Sequence, residues 1–117
     1  MAWLIGFLRA NSAWFILFLA GVCEILWAIG LKKFGFRFTW GGAATVAGML
    51  LSFLLLERAM RSLPLGTAYG VWTGIGAVGT AAFGMAFLGE SADWRRVLCI
   101  ALVVGGIVGL KALAPQP

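Results

Sequence analysis

The sequence predicts an all-α integral membrane protein, with four transmembrane helices in a single domain over residues 1–117. Three observations carry that expectation. The chain is 62% hydrophobic and only 11% charged, where a soluble domain carries about 25% charged residues. Four acids and nine bases cannot coat a soluble globule of 117 residues. Those charges fall in short interruptions between long apolar runs, and the runs lack the alternation of a barrel. Isolated strands leave backbone groups unpaired in lipid, so the runs are read as helices.

The elements follow from the charge-free stretches, each compared with the roughly 20 apolar residues that a span needs. Ala10 to Leu31 holds one charge, Glu24, and places a first span near 13–31. Phe38 to Leu56 is a 19-residue run without charge and gives a second near 39–56. Ser62 to Gly89 is a 28-residue run and gives a third near 67–88, with Pro64 and Gly66 marking the turn before it. Val97 to Leu110 continues past Lys111 and gives the fourth near 97–114, before Pro115 and Pro117. Gly89, Glu90, Ser91 and Asp93 punctuate the third loop. Residues 1–12 form an N-terminal extension. Its apolar Met1 to Leu8 precedes Arg9, the reverse of a signal peptide, and is too short to span. It is expected at the membrane interface, with a lengthened first helix as the alternative.

The excess of base does not indicate nucleic acid, because the Lys and Arg residues mark membrane boundaries and form no basic face. Catalysis is not expected of a chain without histidine, and no cofactor or metal site is indicated. Cys23 and Cys99 lie in apolar helices without motif spacing and read as small packing residues. With four spans, Arg9, Arg58, Arg61 and Lys111 share one side of the membrane. Lys32, Lys33, Arg37, Arg95 and Arg96 share the other. Four against five barely biases orientation. Either the chain inserts both ways and pairs as an antiparallel dimer, or the balance is chance and finer details fix one orientation.

Glu24 stands out. It sits mid-span, where an ionised side chain costs at least roughly 2.5–3.5 kcal/mol. Glu57, Glu90 and Asp93 lie at span ends near arginines and read as solvated boundary charges. The Glu24 face carries Ala20, Gly21, Trp27, Ala28 and Leu31 at helical spacing. The small residues leave room for a ligand or a close helix, and the Trp27 indole is a donor within reach of the carboxylate. Intramembrane ionisable groups mark function by default, with a purely structural acid as the alternative. In the third span Tyr69, Trp72, Gly76 and Gly79 share a stripe whose phenol and indole need acceptors if buried. Convergence on Glu24 would supply one. Ser52 is a further donor at membrane depth, although a lone membrane serine usually bonds its own i−4 carbonyl. Gly74-x-Gly76-x-x-Gly79 matches a nucleotide-loop pattern but lies inside an apolar span without a preceding strand, so it reads as close helix packing and a bend. Gly105-x-x-x-Gly109 is a helix-association pattern, assigned to dimer contact, with intrachain packing as the alternative.

The stretch Ala20-Gly21-Val22-Cys23-Glu24-Ile25-Leu26-Trp27 resembles the first helix of the small multidrug resistance family. Leu63-Pro64-Leu65-Gly66-Thr67-Ala68-Tyr69-Gly70-Val71-Trp72-Thr73-Gly74 resembles its third helix. Gly89-Glu90-Ser91 and Gly106-Ile107-Val108-Gly109-Leu110-Lys111 extend the match to roughly residues 13–113. Trp27, Ser52 within Gly48-Met49-Leu50-Leu51-Ser52-Phe53, and Gly109-Leu110-Lys111 resemble the guanidinium-exporter subtype; polyaromatic-cation exporters tend to carry a small residue at the Trp27 position. The resemblance implies a multi-pass protein of the bacterial inner membrane, working as an antiparallel homodimer. Two central glutamates would bind protons and a small guanidinium-like cation in turn. It further implies that Gly21, Trp27, Ser52, Tyr69 and Trp72 line or order the site, and that helix four forms much of the dimer contact. Departures are the N-terminal extension, a slightly shortened first loop, and Glu57 near the end of helix two.

The chemistry agrees with that implication. Guanidinium stays cationic and planar, with donors matched to carboxylates. Mutually exclusive occupancy of Glu24 by protons or cation suffices to couple a proton gradient to export. The alternatives are a promiscuous quaternary-ammonium or polyaromatic-cation exporter, a proton-translocating ring subunit, and a structural membrane subunit. Ring subunits are usually two-helix hairpins, which four spans with Trp27 and Trp72 argue against.

Overall fold

The computed structural model describes residues 1–114. Four α-helices follow in order: α1 (Ala2–Phe34), α2 (Trp40–Met60), α3 (Leu65–Phe87) and α4 (Trp94–Ala112). At about 1.5 Å per residue, α2 and α3 match the roughly 30 Å hydrocarbon core. Helices α1, α2 and α3 are each long and apolar enough to cross a membrane. α4 carries Arg95 and Arg96 at its start and Lys111 at its end. Long basic side chains can extend to an interface while their helix lies deeper, so the charges at its ends are compatible with an apolar Val97 to Leu110 between them.

The helix ends obey local chemistry. Gly35 closes α1 at φ 64°, where a Cβ would be strained, and donates its N–H to Leu31 O at 3.0 Å. Thr39 opens α2 by accepting the Gly42 N–H at 3.1 Å. Pro64 stands immediately before α3 and stops α2 from continuing through the turn. Asp93 opens α4, its carboxylate accepting from the Arg95 N–H at 2.9 Å. The Arg95 guanidinium beside it holds the Asp93 carboxyl below its usual range.

One expectation is corrected here. The first residues do not form a separate element at the interface; α1 runs unbroken from Ala2, so the extension lengthens the first helix. No proline or glycine pair interrupts residues 2–12, and an apolar stretch that meets no breaker continues the helix it joins. The observed helices also begin or end two to four residues beyond several expected bounds, because the flanking charged residues remain helical. Pro115 and Pro117 lie outside the described residues.

The chain packs as a thin slab, 50 × 37 × 18 Å in extent. α1 is the spine: it packs along both α2 and α3, while α4 packs along α3 alone. The core is small and mostly small-residue: Ala13, Leu17 and Ala20 from α1, Leu56 and Ala59 from α2, Ala68, Val71 and Trp72 from α3, with Leu63 in the turn. In lipid, helix association rests on close packing of such residues, since the tails are as apolar as leucine. α4 contributes no buried residue, and Leu98, Leu102, Val104 and Val108 are exposed. Beyond α3 it reaches the preceding loop through Arg96, paired with Glu90 at 2.6 Å, and α1 through Lys111, whose Nζ stands 4.7 Å from the centre of the Trp14 ring.

Candidate functional site

The α1–α3 seam is built by glycines. A Cβ on Gly21 would meet the Ile75 side chain at 2.5 Å, and one on Gly79 would collide with Ile25. Between them, a Cβ on Gly76 would run into the Glu24 carboxylate, with its two oxygens at 2.6 and 2.7 Å. The third span can therefore lie against the acid itself. Gly74 faces the other way, and a Cβ there would press on Ile107 of α4 at 2.9 Å. The G-x-G-x-x-G pattern thus places glycines on both sides of one continuous helix, one against α4 and two against α1, as its reading as a packing device expects.

One turn before Glu24, a polar chain ties three helices together. The fully buried Ser52 hydroxyl donates to Ala20 O at 2.8 Å, and the Trp72 indole donates to Ser52 Oγ at 3.0 Å. Ser52 therefore does not bond its own i−4 carbonyl, whereas Thr45 and Thr80 do, to Gly41 O at 2.9 Å and Gly76 O at 2.7 Å. The difference is access: Ala20 carries only a methyl group, too small to screen its carbonyl, so the cross-helix acceptor competes successfully. Ser52→Ala should leave the Trp72 N–H without a partner in a dry seam. We expect a loss of about 1–2 kcal/mol, read as an earlier thermal unfolding transition in detergent.

Aromatic rings continue from that chain. Phe53 bridges Trp27 and Trp72 in edge contacts, with ring centres at 6.3 and 5.7 Å. Tyr69 lies tilted on Trp72 at 5.5 Å and is itself exposed. Gly48 of α2 allows the approach to Trp27, since its Cβ would stand 3.3 Å from Trp27 Cβ. Trp27 also borders a cleft of about 430 Å³ between α1 and α2.

Two polar atoms in this neighbourhood are enclosed yet unpartnered within the chain: Glu24 Oε2 and Trp27 Nε1. Helical spacing puts the indole within reach of the carboxylate, yet the two do not bond. Trp27 turns toward Phe53 of α2, and Glu24 lies against α3, so donor and acceptor stay apart. Convergence of the third-span donors on Glu24 is likewise absent within one chain. Trp72 serves Ser52, and Tyr69 makes no side-chain hydrogen bond among the described residues.

Of the expected site residues, Gly21, Glu24, Ser52 and Trp72 are brought together along the α1–α2–α3 seam. Trp27 and Tyr69 stand at its two ends, joined to it through Phe53 and Trp72. A Cβ added at Gly105 or Gly109 would meet nothing within 4 Å among the described residues. Gly76 and Phe53 were not assigned to the site from sequence. Gly76 was visible in the third-span stripe, one turn beyond Trp72; Phe53 carried no signal among nine phenylalanines in an apolar chain.

Comparison with known proteins agrees with the motif resemblance. Residues 12–103 match the model of the family described as Small Multidrug Resistance protein. The chain is 54% identical over 100 residues to a protein of Yersinia pseudotuberculosis serotype I named guanidinium exporter, covering 85% of this chain and 96% of that one. Proteins of the same name from Proteus vulgaris and Citrobacter freundii are each 52% identical over 100 residues. They cover 85% of this chain, and 96% and 95% of their own lengths.

Proposed function

This chain belongs to the small multidrug resistance family, and from that premise we propose that it exports guanidinium and small guanidinyl cations in exchange for protons. It is a multi-pass protein of the bacterial inner membrane and works as a transporter, not as a catalyst of bond chemistry. The names of its relatives support the substrate. The observation that carries the reading is the enclosed, unpartnered Glu24 Oε2 at membrane depth. A buried acceptor without a donor is costly, and a proton or a planar donor cation relieves that cost equally well in kind.

Glu24 is the residue that binds both. Either occupant excludes the other, so a proton entering down its gradient releases a cation, and the cation leaves on the side where protons are abundant. Gly21 and Gly76 keep the space beside the carboxylate small, while Trp27, Ser52, Tyr69 and Trp72 wall and order it. A rigid, narrow site costs a small planar ion little ordering entropy and clashes with bulky ions. Proteoliposome flux tests this. With an imposed pH gradient, guanidinium and methylguanidinium should be transported and a tetraphenylphosphonium-sized aromatic cation should not. Trp27→Gly, which removes bulk at one end of the wall, should weaken guanidinium flux and admit larger cations. Equal flux of the aromatic cation by wild type would overturn the subtype and leave the exchanger reading standing.

The working unit is an antiparallel homodimer. The bare face of α4, with Gly105 and Gly109 open, supports a partner chain there, and the four-against-five charge balance supports insertion in both orientations. Two inverted copies give the symmetry that larger exchangers build from internal inverted repeats. Adding two or three lysines to one side should lock the orientation. Each locked form should be inactive alone, and two oppositely locked forms should restore flux together; full flux from one locked form would refute the arrangement.

A further inference from the structure

A further built feature lies away from both the seam and the α4 face. At the opposite end of α1 from Gly35, a cleft of about 500 Å³ opens between the start of α1 and the end of α2. Arg9, Arg58 and Arg61 line it, together with Ser12 and Ser62. The balance of charge inside it is lopsided. Glu57 is bound by Arg61 in two places, at 2.9 and 3.2 Å, and no ion pair forms at Arg9 or Arg58 among the described residues. Two guanidiniums are thus free to meet an anion. The remaining wall is apolar: Ile5 and Leu8 on the extended first turns of α1 are exposed, and Ala13 and Ile16 lie deeper.

We propose that this cleft binds the phosphate of an acidic phospholipid, with its acyl chains lying along Ile5 and Leu8. Arginine forks match two phosphate oxygens at once, which suits a diester anion. Basic pockets between transmembrane helices at the membrane boundary take acidic headgroups for the same reason. The apolar wall selects the lipid over a free anion, because a soluble phosphate would leave Ile5 and Leu8 uncovered. The family match begins at residue 12, so Arg9, Ile5 and Leu8 belong to the segment that precedes it. The site therefore combines this preceding segment with Arg58 and Arg61 of the matched bundle. It depends on membrane insertion alone and is independent of the transported ion.

Native mass spectrometry of the purified chain in uncharged detergent reads this directly. The probes are dioctanoyl phosphatidylglycerol, dioctanoyl phosphatidylcholine and inorganic phosphate. The phosphatidylglycerol should bind about tenfold more tightly than the phosphatidylcholine, and equimolar inorganic phosphate should not displace it. Arg9→Gln and Arg58→Gln should each weaken it about fivefold. Should either glutamine variant fail to purify, the Arg9→Lys, Arg58→Lys chain keeps every charge and loses only the forked donors, and it should bind about threefold more weakly. Equal binding of the two lipids, displacement by equimolar inorganic phosphate, or wild-type binding by the variants would each overturn the proposal.

Discussion

Glu24→Gln should yield a folded dimer that no longer exchanges protons for guanidinium. Glutamine keeps the length and shape of the side chain, so the packing against Gly76 and the neighbouring Ser52–Ala20 bond survive. It removes the only titratable carboxylate in the span region between Ala10 and Leu31. It also replaces a charged acceptor for a cation with a neutral amide. Removing one partner from an enclosed charge pair costs about 2–5 kcal/mol, which is a loss of about thirtyfold or more in guanidinium affinity. Loss of binding alone would slow transport; loss of titration removes coupling at any substrate concentration. Proteoliposome flux with and without a pH gradient separates the two. Near-normal coupled flux in the variant would dismiss Glu24 as the coupling group. Glu24→Asp should keep exchange and move its pH profile, because a shorter acid sits farther from α3.

The helices were legible from sequence because membrane spans are written in long runs of one composition. Their ends were less so: Lys32 and Lys33 fall inside α1, and Arg58 inside α2, since arginine and lysine are good helix formers and a membrane boundary is not a helix boundary. The extension was misplaced for a related reason, as nothing between Leu8 and Ala13 breaks a helix. Glu24 and Ser52 stand out in the sequence because polar groups at that depth are conspicuous. Their partners do not. Which way an indole points depends on the neighbouring helix, and a single sequence does not say that Phe53 rather than Glu24 would meet Trp27. The same limit hid Gly76, whose role is a space and not a side chain.

That space supports the sharpest structural test. Gly76→Ala adds one methyl group where the Glu24 oxygens now lie 2.6 and 2.7 Å from the new Cβ. Ordinary contact needs about 3.5 Å or more, so the carboxylate must retreat by about 1 Å. The retreat is cheap for the fold, because the obstructed atoms are the far end of a flexible chain. Alanine also favours helix over glycine by about 1 kcal/mol, so thermal stability in detergent should stay within about 1 kcal/mol of wild type. The cost falls on the site. The acid moves off the seam into the room a cation would occupy, and guanidinium flux should drop about tenfold or more, at about 1.4 kcal/mol per decade. Gly21→Ala is the contrasting case. Its methyl group meets Ile75 at 2.5 Å, a β-branched side chain held between helices, so it should cost stability and flux together. If Gly76→Ala transports like wild type, the close approach of α3 to Glu24 is not what shapes the site. If it unfolds as readily as Gly21→Ala, the glycine serves packing and not the acid.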